Sequence, residues 1–513
     1  MKKIFLLLAA AALLTATGCE DLNQAPLSSG SVPTFYKSAD DFNQGLNAAY
    51  NSLRAWPDRT LTMSETRSDN IYGVSAQGIR VWEPINNFSL GVVANEFPAD
   101  TWSADYLAIY RANILLDQLD QNGTVLTDAT RKSFDAQARF LRAFFYFDLV
   151  RYFGRVPLVD KPLEPQEVAK IGRTPVADVY SLIISDLQTA AAALPASYAA
   201  TDVGRATAGA AKSLLALVYM TRSGPTYGIQ GPGLGTNDYA TALNLLNEVI
   251  NGGQYQLITA AGTSPNAYAN VFSYTNENNR EVVFDVQYIS GGVGLGASYP
   301  SILVTNNYFT SIGVGTTFGT GDELRPASNS LLNSYGTGDL RKAVNFQVGY
   351  TAGTAVETRA AFKKYINGTL RGTTRTDWPI NFIVLRFADV LLLKAECLLR
   401  TGDQAGALAI VNQIRRRAYG LPITTPSTAA DLTSLTLDQL LEERRREFAG
   451  EGIRWHDLVR SGRAVDVMNA WVTADDASNR IRKPLTSNDV LYPVPQQELA
   501  ASSYAYEQNP GYN

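Results

Sequence analysis

One histidine, His456, and two cysteines, Cys19 and Cys397, are all that the 513-residue chain offers of the side chains most used as nucleophiles, proton shuttles and transition-metal ligands. Multi-Cys and multi-His zinc sites are therefore excluded, as is a haem held by two histidines. A Ser-His-Asp arrangement would have to use His456, which falls in a helix-like segment. Carboxylates alone suffice for glycoside hydrolysis, but no spacing singles out a pair among the 48 Asp and Glu. The glycine-rich runs Gly231–Gly235 and Gly292–Gly296 do not join a strand to a helix in a βαβ unit, and no GxxxxGK[ST] occurs, so phosphate-loop chemistry is not read here. The expectation is no catalytic residue, no metal and no cofactor. What remains is non-covalent chemistry. The chain carries 26 Tyr and 6 Trp, and two irregular stretches place such rings beside amides and carboxylates: Arg67-Ser-Asp-Asn-Ile-Tyr72 through Arg80-Val-Trp82, and Tyr299 through Asn306-Asn-Tyr-Phe309. A flat ring can stack on an apolar C–H face while the polar neighbours hydrogen-bond hydroxyls. Trp82, Tyr72, Asp69, Asn70, Tyr299 and Tyr308 are the candidate ligand-binding residues.

The N-terminus adds a covalent possibility. Met1-Lys2-Lys3 is a positive start, and Ile4–Leu14 is an apolar run of signal-peptide length, too short to span a bilayer. Leu14-Thr-Ala-Thr-Gly-Cys19 resembles a bacterial lipobox. The chemistry implied is a diacylglycerol thioether on Cys19, cleavage before it and acylation of the new amine, giving stable anchoring through several chains. Glu20 and Asp21 resemble the surface-export signal of Bacteroidetes lipoproteins. No other apolar run is long enough to span a membrane. The formal net charge is −4, and removing the first 18 residues takes away two lysines, so a nucleic-acid partner is not expected. A hydrophobic fraction of 45% with 18% charged residues is that of a globular chain.

Helical patterning must position these residues. Asp40–Leu53 has a helical apolar face, and helices are expected over about 103–120, 131–153, 175–193, 207–222, 238–251, 384–400, 404–418 and 436–449. The stretch 57–103 reads as irregular. So does 252–380, with short strand-like pieces such as Glu281–Gln287, and a loop-rich tail follows. Residues 387–420 form a 34-residue helix-turn-helix pattern whose Ala407, Leu408, Val411 and Ile414 match Ala242, Leu243, Leu246 and Val249 of an earlier pair. The period and the small residues resemble tetratricopeptide repeats. Charged residues crowd three of these helices. Arg139, Arg142, Asp148 and Arg151 sit among aromatics, Arg386 and Asp389 share a helix face, and Glu442 reaches Arg446 at i, i+4. They are expected to form a buried ion-pair and aromatic network, since buried charges must be paired. Cys397 is expected to be an inert buried thiol.

Several segments, in order, resemble the SusD/RagB family of nutrient-binding lipoproteins. They are Gln137–Val159 (QARFLRAFFYFDLVRYFGRVPLV), Val384–Glu396 (VLRFADVLLLKAE), Glu442–Arg460 (EERRREFAGEGIRWHDLVR), Leu491–Gln496 (LYPVPQ) and Gln508–Tyr512 (QNPGY), with Asp41–Leu53 resembling the family's first helix. The resemblance implies a mainly α fold: a tetratricopeptide-like helical-hairpin scaffold with a loop-rich ligand-binding region and minor β. The expected organisation is a signal peptide over 1–18, a lipidated tether over 19–34, a helical N-terminal region over 35–251 and a C-terminal region over 252–513. The last comprises loop-rich 252–380, helical 384–460 and a loop-rich tail, all in one body. The resemblance further implies an outer-membrane, lipid-anchored, exterior-facing protein that binds oligosaccharides and partners a SusC-type TonB-dependent transporter. The alternatives are a lipid-anchored glycoside hydrolase and a repeat-based protein-binding scaffold.

Overall fold

Ser38 opens the first long helix with a reciprocal cap. Its hydroxyl accepts from the Asp41 amide at 3.3 Å, and the Asp41 carboxylate accepts from the Ser38 amide at 2.7 Å, which satisfies two otherwise orphaned donors of the first helix. The structure, a computed structural model, describes residues 35–73, 80–315, 318–319, 324–502 and 506–512. Cys19 lies outside the described residues. Helices of eight or more residues are α1 Ala39–Asn51, α2 Glu96–Asn122, α3 Asp128–Phe153, α4 Val176–Ala193, α5 Ala208–Arg222, α6 Tyr239–Asn251, α7 Phe387–Thr401, α8 Gln404–Ala418, α9 Leu437–Glu447, α10 Arg454–Ser461 and α11 Ala464–Asp475. Among these none is long and apolar enough to cross a membrane.

The scaffold is a succession of helices in which each packs on its neighbour in sequence. The pairs are α2 on α3, α3 on α4, α4 on α5, α5 on α6, α6 on α7 and α7 on α8. This is the tetratricopeptide-like arrangement: helix pairs that each bury a face on the next. Small residues allow the close approach, with Ala210, Ala211, Ala216, Ala242, Ala395 and Ala407 all fully buried. α3 is the central member. From Ala136 to Phe153 only Arg139 escapes burial, as expected of a helix enclosed on every side.

Among the described residues four strands complete the frame: β1 Val282–Val286, β2 Phe346–Ala352, β3 Ala355–Phe362 and β4 Phe382–Arg386. β1 pairs antiparallel with β4, and β2 with β3. Three boundaries differ from expectation. Residues 384–386 are strand, not helix. Arg386 is extended (φ −133°, ψ 162°) and precedes α7 without a side-chain cap, because its backbone finishes the ladder with β1 and its guanidinium enters the buried charge cluster described below. α2 begins at Glu96, capped by the Asn95 side chain. The tail is not loop throughout: α11 forms over 464–475, burying Ala464, Met468, Trp471 and Val472, an i, i+4, i+7, i+8 pattern.

Candidate functional site

The stretch that carries four of the six candidate residues follows Trp56–Thr60, one short helical segment, and a wider turn over Leu61–Glu65 in which Thr66 N–H donates to the Leu61 carbonyl. Glu65 is the pin of this stretch. Fully buried, its carboxylate accepts from the amides of Gly450 (2.8 Å) and Gly452 (3.1 Å) and from the Asn70 side chain (2.8 Å). Asn70 passes the contact on, since its carbonyl oxygen accepts from Arg445 Nε at 2.8 Å. Asp69 is held by Arg454 at 2.8 Å and by Arg445 at 3.1 Å. Burial alone would raise its carboxyl, but the two guanidinium groups hold it down at about 2. Both residues are buried structural partners of the arginine-rich segment 444–460.

The two candidate stretches lie together. Asn70 accepts from the Ser328 amide, Ile71 bridges Ala327, and Tyr72 N–H donates to the Pro326 carbonyl. Arg325, in the same segment, donates from its backbone to Leu303 at 3.4 Å. Its guanidinium lies 5.1 Å from the centre of the Trp82 ring and donates to Thr62 at 2.9 Å. Segment 324–328 therefore ties 62–82 to 299–309. No short motif marks Arg325, and its role depends on contacts more than 200 residues apart in sequence.

The rings, however, turn inward. Trp82 is 2% exposed, Tyr299 1% and Tyr308 3%. Trp82 packs on the bare backbone of Gly73, where a Cβ would fall 2.3 Å from the indole. Tyr299 donates to the Asn381 carbonyl at 2.9 Å and sits edge-on to Phe382 and Tyr365. Tyr308 meets Tyr350 edge-on at 5.4 Å. In this arrangement these rings present no open face to a ligand. A large aromatic gains more from enclosed packing than from a surface position, and loop sequence does not reveal which it will take. Tyr72 alone of the six is half-buried; it donates to Asp476 at 2.8 Å and packs edge-on to Trp471. One open space beside these residues is a cavity of about 340 Å³ reached by Asp69, Arg445, Arg454, Glu442 and Trp471. It offers an indole beside paired charges. On the loop face itself Val81, Leu90 and Ile312 stand exposed.

The charged residues form a buried network, with partners other than the sequence spacing implied. Arg386 does not pair with Asp389. It binds Glu447 at 2.7 Å, Glu451 at 2.9 Å and Glu281 at 3.0 Å, whereas Asp389 pairs with Arg444 at 2.7 Å. Arg446 pairs with Glu443 at 2.7 Å, and Glu442 turns to Arg445 at 3.2 Å. His456 is buried against Tyr152, ring centres 4.8 Å apart. Burial, with Arg151 and Arg460 nearby, holds it well below its ordinary value, so it is a neutral imidazole. Burial pushes the Cys397 thiol up to about 12, which leaves it protonated and unreactive. Among the described residues no group of His, Cys, Asp and Glu is placed to hold a metal ion.

Comparison with known proteins gives two family matches. Residues 351–512 match the SusD family, and residues 28–220 match a SusD-like family described as starch-binding associating with outer membrane. A SusD-like protein of Formosa agariphila is 27% identical over 96% of each chain. Among solved structures, a surface glycan-binding protein A from Bacteroides uniformis is 25% identical with a TM-score of 0.74, covering 92% of this chain and 99% of that one. A laminarin binding SusD-like protein is 26% identical with a TM-score of 0.73, covering 93% of this chain and 100% of that one.

Proposed function

Since the chain belongs to the SusD/RagB family, we propose that it is a cell-surface lipoprotein that binds glycan oligomers and delivers them to a SusC-type TonB-dependent outer-membrane transporter. The observation that carries this reading is likeness along nearly the whole chain, not in one motif, to a laminarin binding SusD-like protein. The anchor is Cys19, acylated after cleavage, with the body facing the exterior. The chain binds and does not catalyse. The carboxylates of its densest charge cluster are buried against arginines, and its one histidine is buried and neutral.

Delivery requires a partner, and that is the part to test. Outer membranes solubilised in detergent and drawn down on a tag carried by this chain should yield a large TonB-dependent barrel in stoichiometric amount. Recovery of the tagged chain alone, under conditions that keep the barrel soluble, would remove the transporter from the account.

A further inference from the structure

A groove runs along α1 on the helical scaffold, and none of the six candidate loop residues lines it. Its main cavity, about 510 Å³, is within the range of small-ligand pockets (about 300–1,000 Å³). An adjoining cavity of about 220 Å³ shares Val203, Gly204, Arg205 and Asp285 with it and adds Tyr198 and Tyr255. Gly204 makes the close approach possible: its φ is +91°, and a Cβ there would fall 2.3 Å from the Gln287 side chain.

The walls differ in hydrogen-bonding character. Asn43, Asn47 and Asn51 recur every four residues, so they form one stripe of α1 facing the groove. Arg205 donates to the carbonyl oxygens of Asn43 at 2.9 Å and Asn47 at 3.2 Å, and Arg54 donates to that of Asn51 at 3.3 Å. Each amide is thereby oriented with its oxygen spent on a guanidinium, which turns its NH₂ into a donor for the groove. The floor supplies an acceptor. Asp285 on β1 is 3% exposed, one of its carboxylate oxygens accepts from Gln287 at 2.6 Å, and the other has no hydrogen-bond partner. A buried polar atom left without a partner is costly and calls for an occupant that satisfies it. Burial pushes this carboxyl up to about 7, so near neutral pH it can give or accept a hydrogen bond. Exposed Val203 and Leu295 provide apolar contact at the rim.

Donors in a row, a carboxyl on the floor and apolar rims match a ligand with many hydroxyls and flat C–H faces. We propose that this groove is an oligosaccharide-binding site in its own right, separate from the loop-bearing face. The proposal rests on the glycan-binding reading above.

The test is calorimetry of the full mature chain against laminarihexaose, maltohexaose, cellohexaose, xylohexaose and mannohexaose, followed by the same titrations of Asn47→Ala and Val203→Trp. Both sites are solvent-exposed, and melting curves confirm that each variant is folded. The expected result is that Asn47→Ala weakens the bound glycan on the order of fivefold, the loss of one hydrogen bond. Val203→Trp, which fills the groove, abolishes that binding event. If the wild type binds a glycan and both folded groove variants bind it equally well, the groove is overturned and the family reading stands. If the folded wild type binds no member of the panel, the glycan reading and the groove fall together.

Discussion

The buried charges around Arg386 define what single residues do here. Arg386, Arg417 and Arg341 converge on Glu447, with Glu281, Glu443, Glu451 and Asp339 as further partners, and every member is nearly or fully enclosed. Removing one cation leaves carboxylates uncompensated in a low dielectric. Arg386→Ala should cost about 3–5 kcal/mol of stability, read as a lowered denaturation midpoint, with glycan affinity of the folded fraction unchanged. Unchanged stability with lost binding would make Arg386 a site residue. The same network sets the acid limit. Asp69 and Glu443 are held at about 2, below their ordinary values of 3.8 and 4.5, by Arg445 and Arg454 and by Arg341, Arg446 and Arg415 acting against burial. Lowered carboxyls stabilise the fold above their unfolded values, and that contribution is lost as pH falls through the folded ones. Stability should therefore drop between about pH 4.5 and pH 2, visible in melting curves across that window. Asp285 has the opposite sign. Its carboxyl is raised to about 7 by burial, so it costs nothing below pH 3.8, and the cost grows up to about pH 7. Asp285→Asn should stabilise the chain at pH 8 by on the order of 4 kcal/mol, the raised carboxyl converted at about 1.4 kcal/mol per pH unit, and leave it unchanged near pH 4. Stability lost at neutral pH to a buried acid with one unpartnered oxygen is what a binding site pays. At this scale the sequence was least informative. It placed Arg386 and Asp389 on one helix face, but Arg386 belongs to β4, and its partners lie 61 to 105 residues away.

At the scale of elements most of the fold was legible, because helices of eleven or more residues carry enough apolar periodicity to declare themselves. The α7–α8 hairpin is the clearest case: the turn Thr401-Gly402-Asp403 was readable as the break between two periodic runs. Gly402 is left-handed at φ +97°, with no atom near the position of a Cβ, so Gly402→Ala should cost about 1 kcal/mol from backbone strain alone. A cost several-fold larger in chemical denaturation would mean that the hairpin packs more tightly there than the structure shows. α11 lies in a tail whose prolines read as loop, yet its buried positions 464, 468, 471 and 472 keep helical spacing. The loop aromatics were not legible in the same way. Trp82 and Tyr299 have sequence surroundings that suit a ligand, yet Gly73, Arg325, Phe382 and Tyr365 enclose them, and those neighbours are distant in sequence. The asparagine stripe of α1 could have been read from Asn43, Asn47 and Asn51, but its meaning appears only when Arg205 is seen to orient it.

For the whole molecule, N- and C-terminal thirds are joined through arginine and tyrosine contacts. Arg67 lies between the rings of Phe88 and Tyr492, 4.3 and 4.2 Å from their centres, and donates to the Asp489 carbonyl. Asn509 donates to Phe153 and Tyr492. Such contacts tie the two ends of the described chain into one body. Cys19→Ala should release this body from the membrane fraction, and its continued retention after signal processing would show that lipid on Cys19 is not the anchor. The central claim is that the chain holds glycan oligomers without cleaving them. Its most direct test incubates the pure, folded chain with the hexasaccharide panel and follows binding by calorimetry and products by mass spectrometry in the same samples. Saturable binding of at least one hexasaccharide, recovered intact after prolonged incubation, is expected. Multiple turnover that disappears on substitution of a single Asp or Glu, or no binding across glycans by a folded chain, would contradict it.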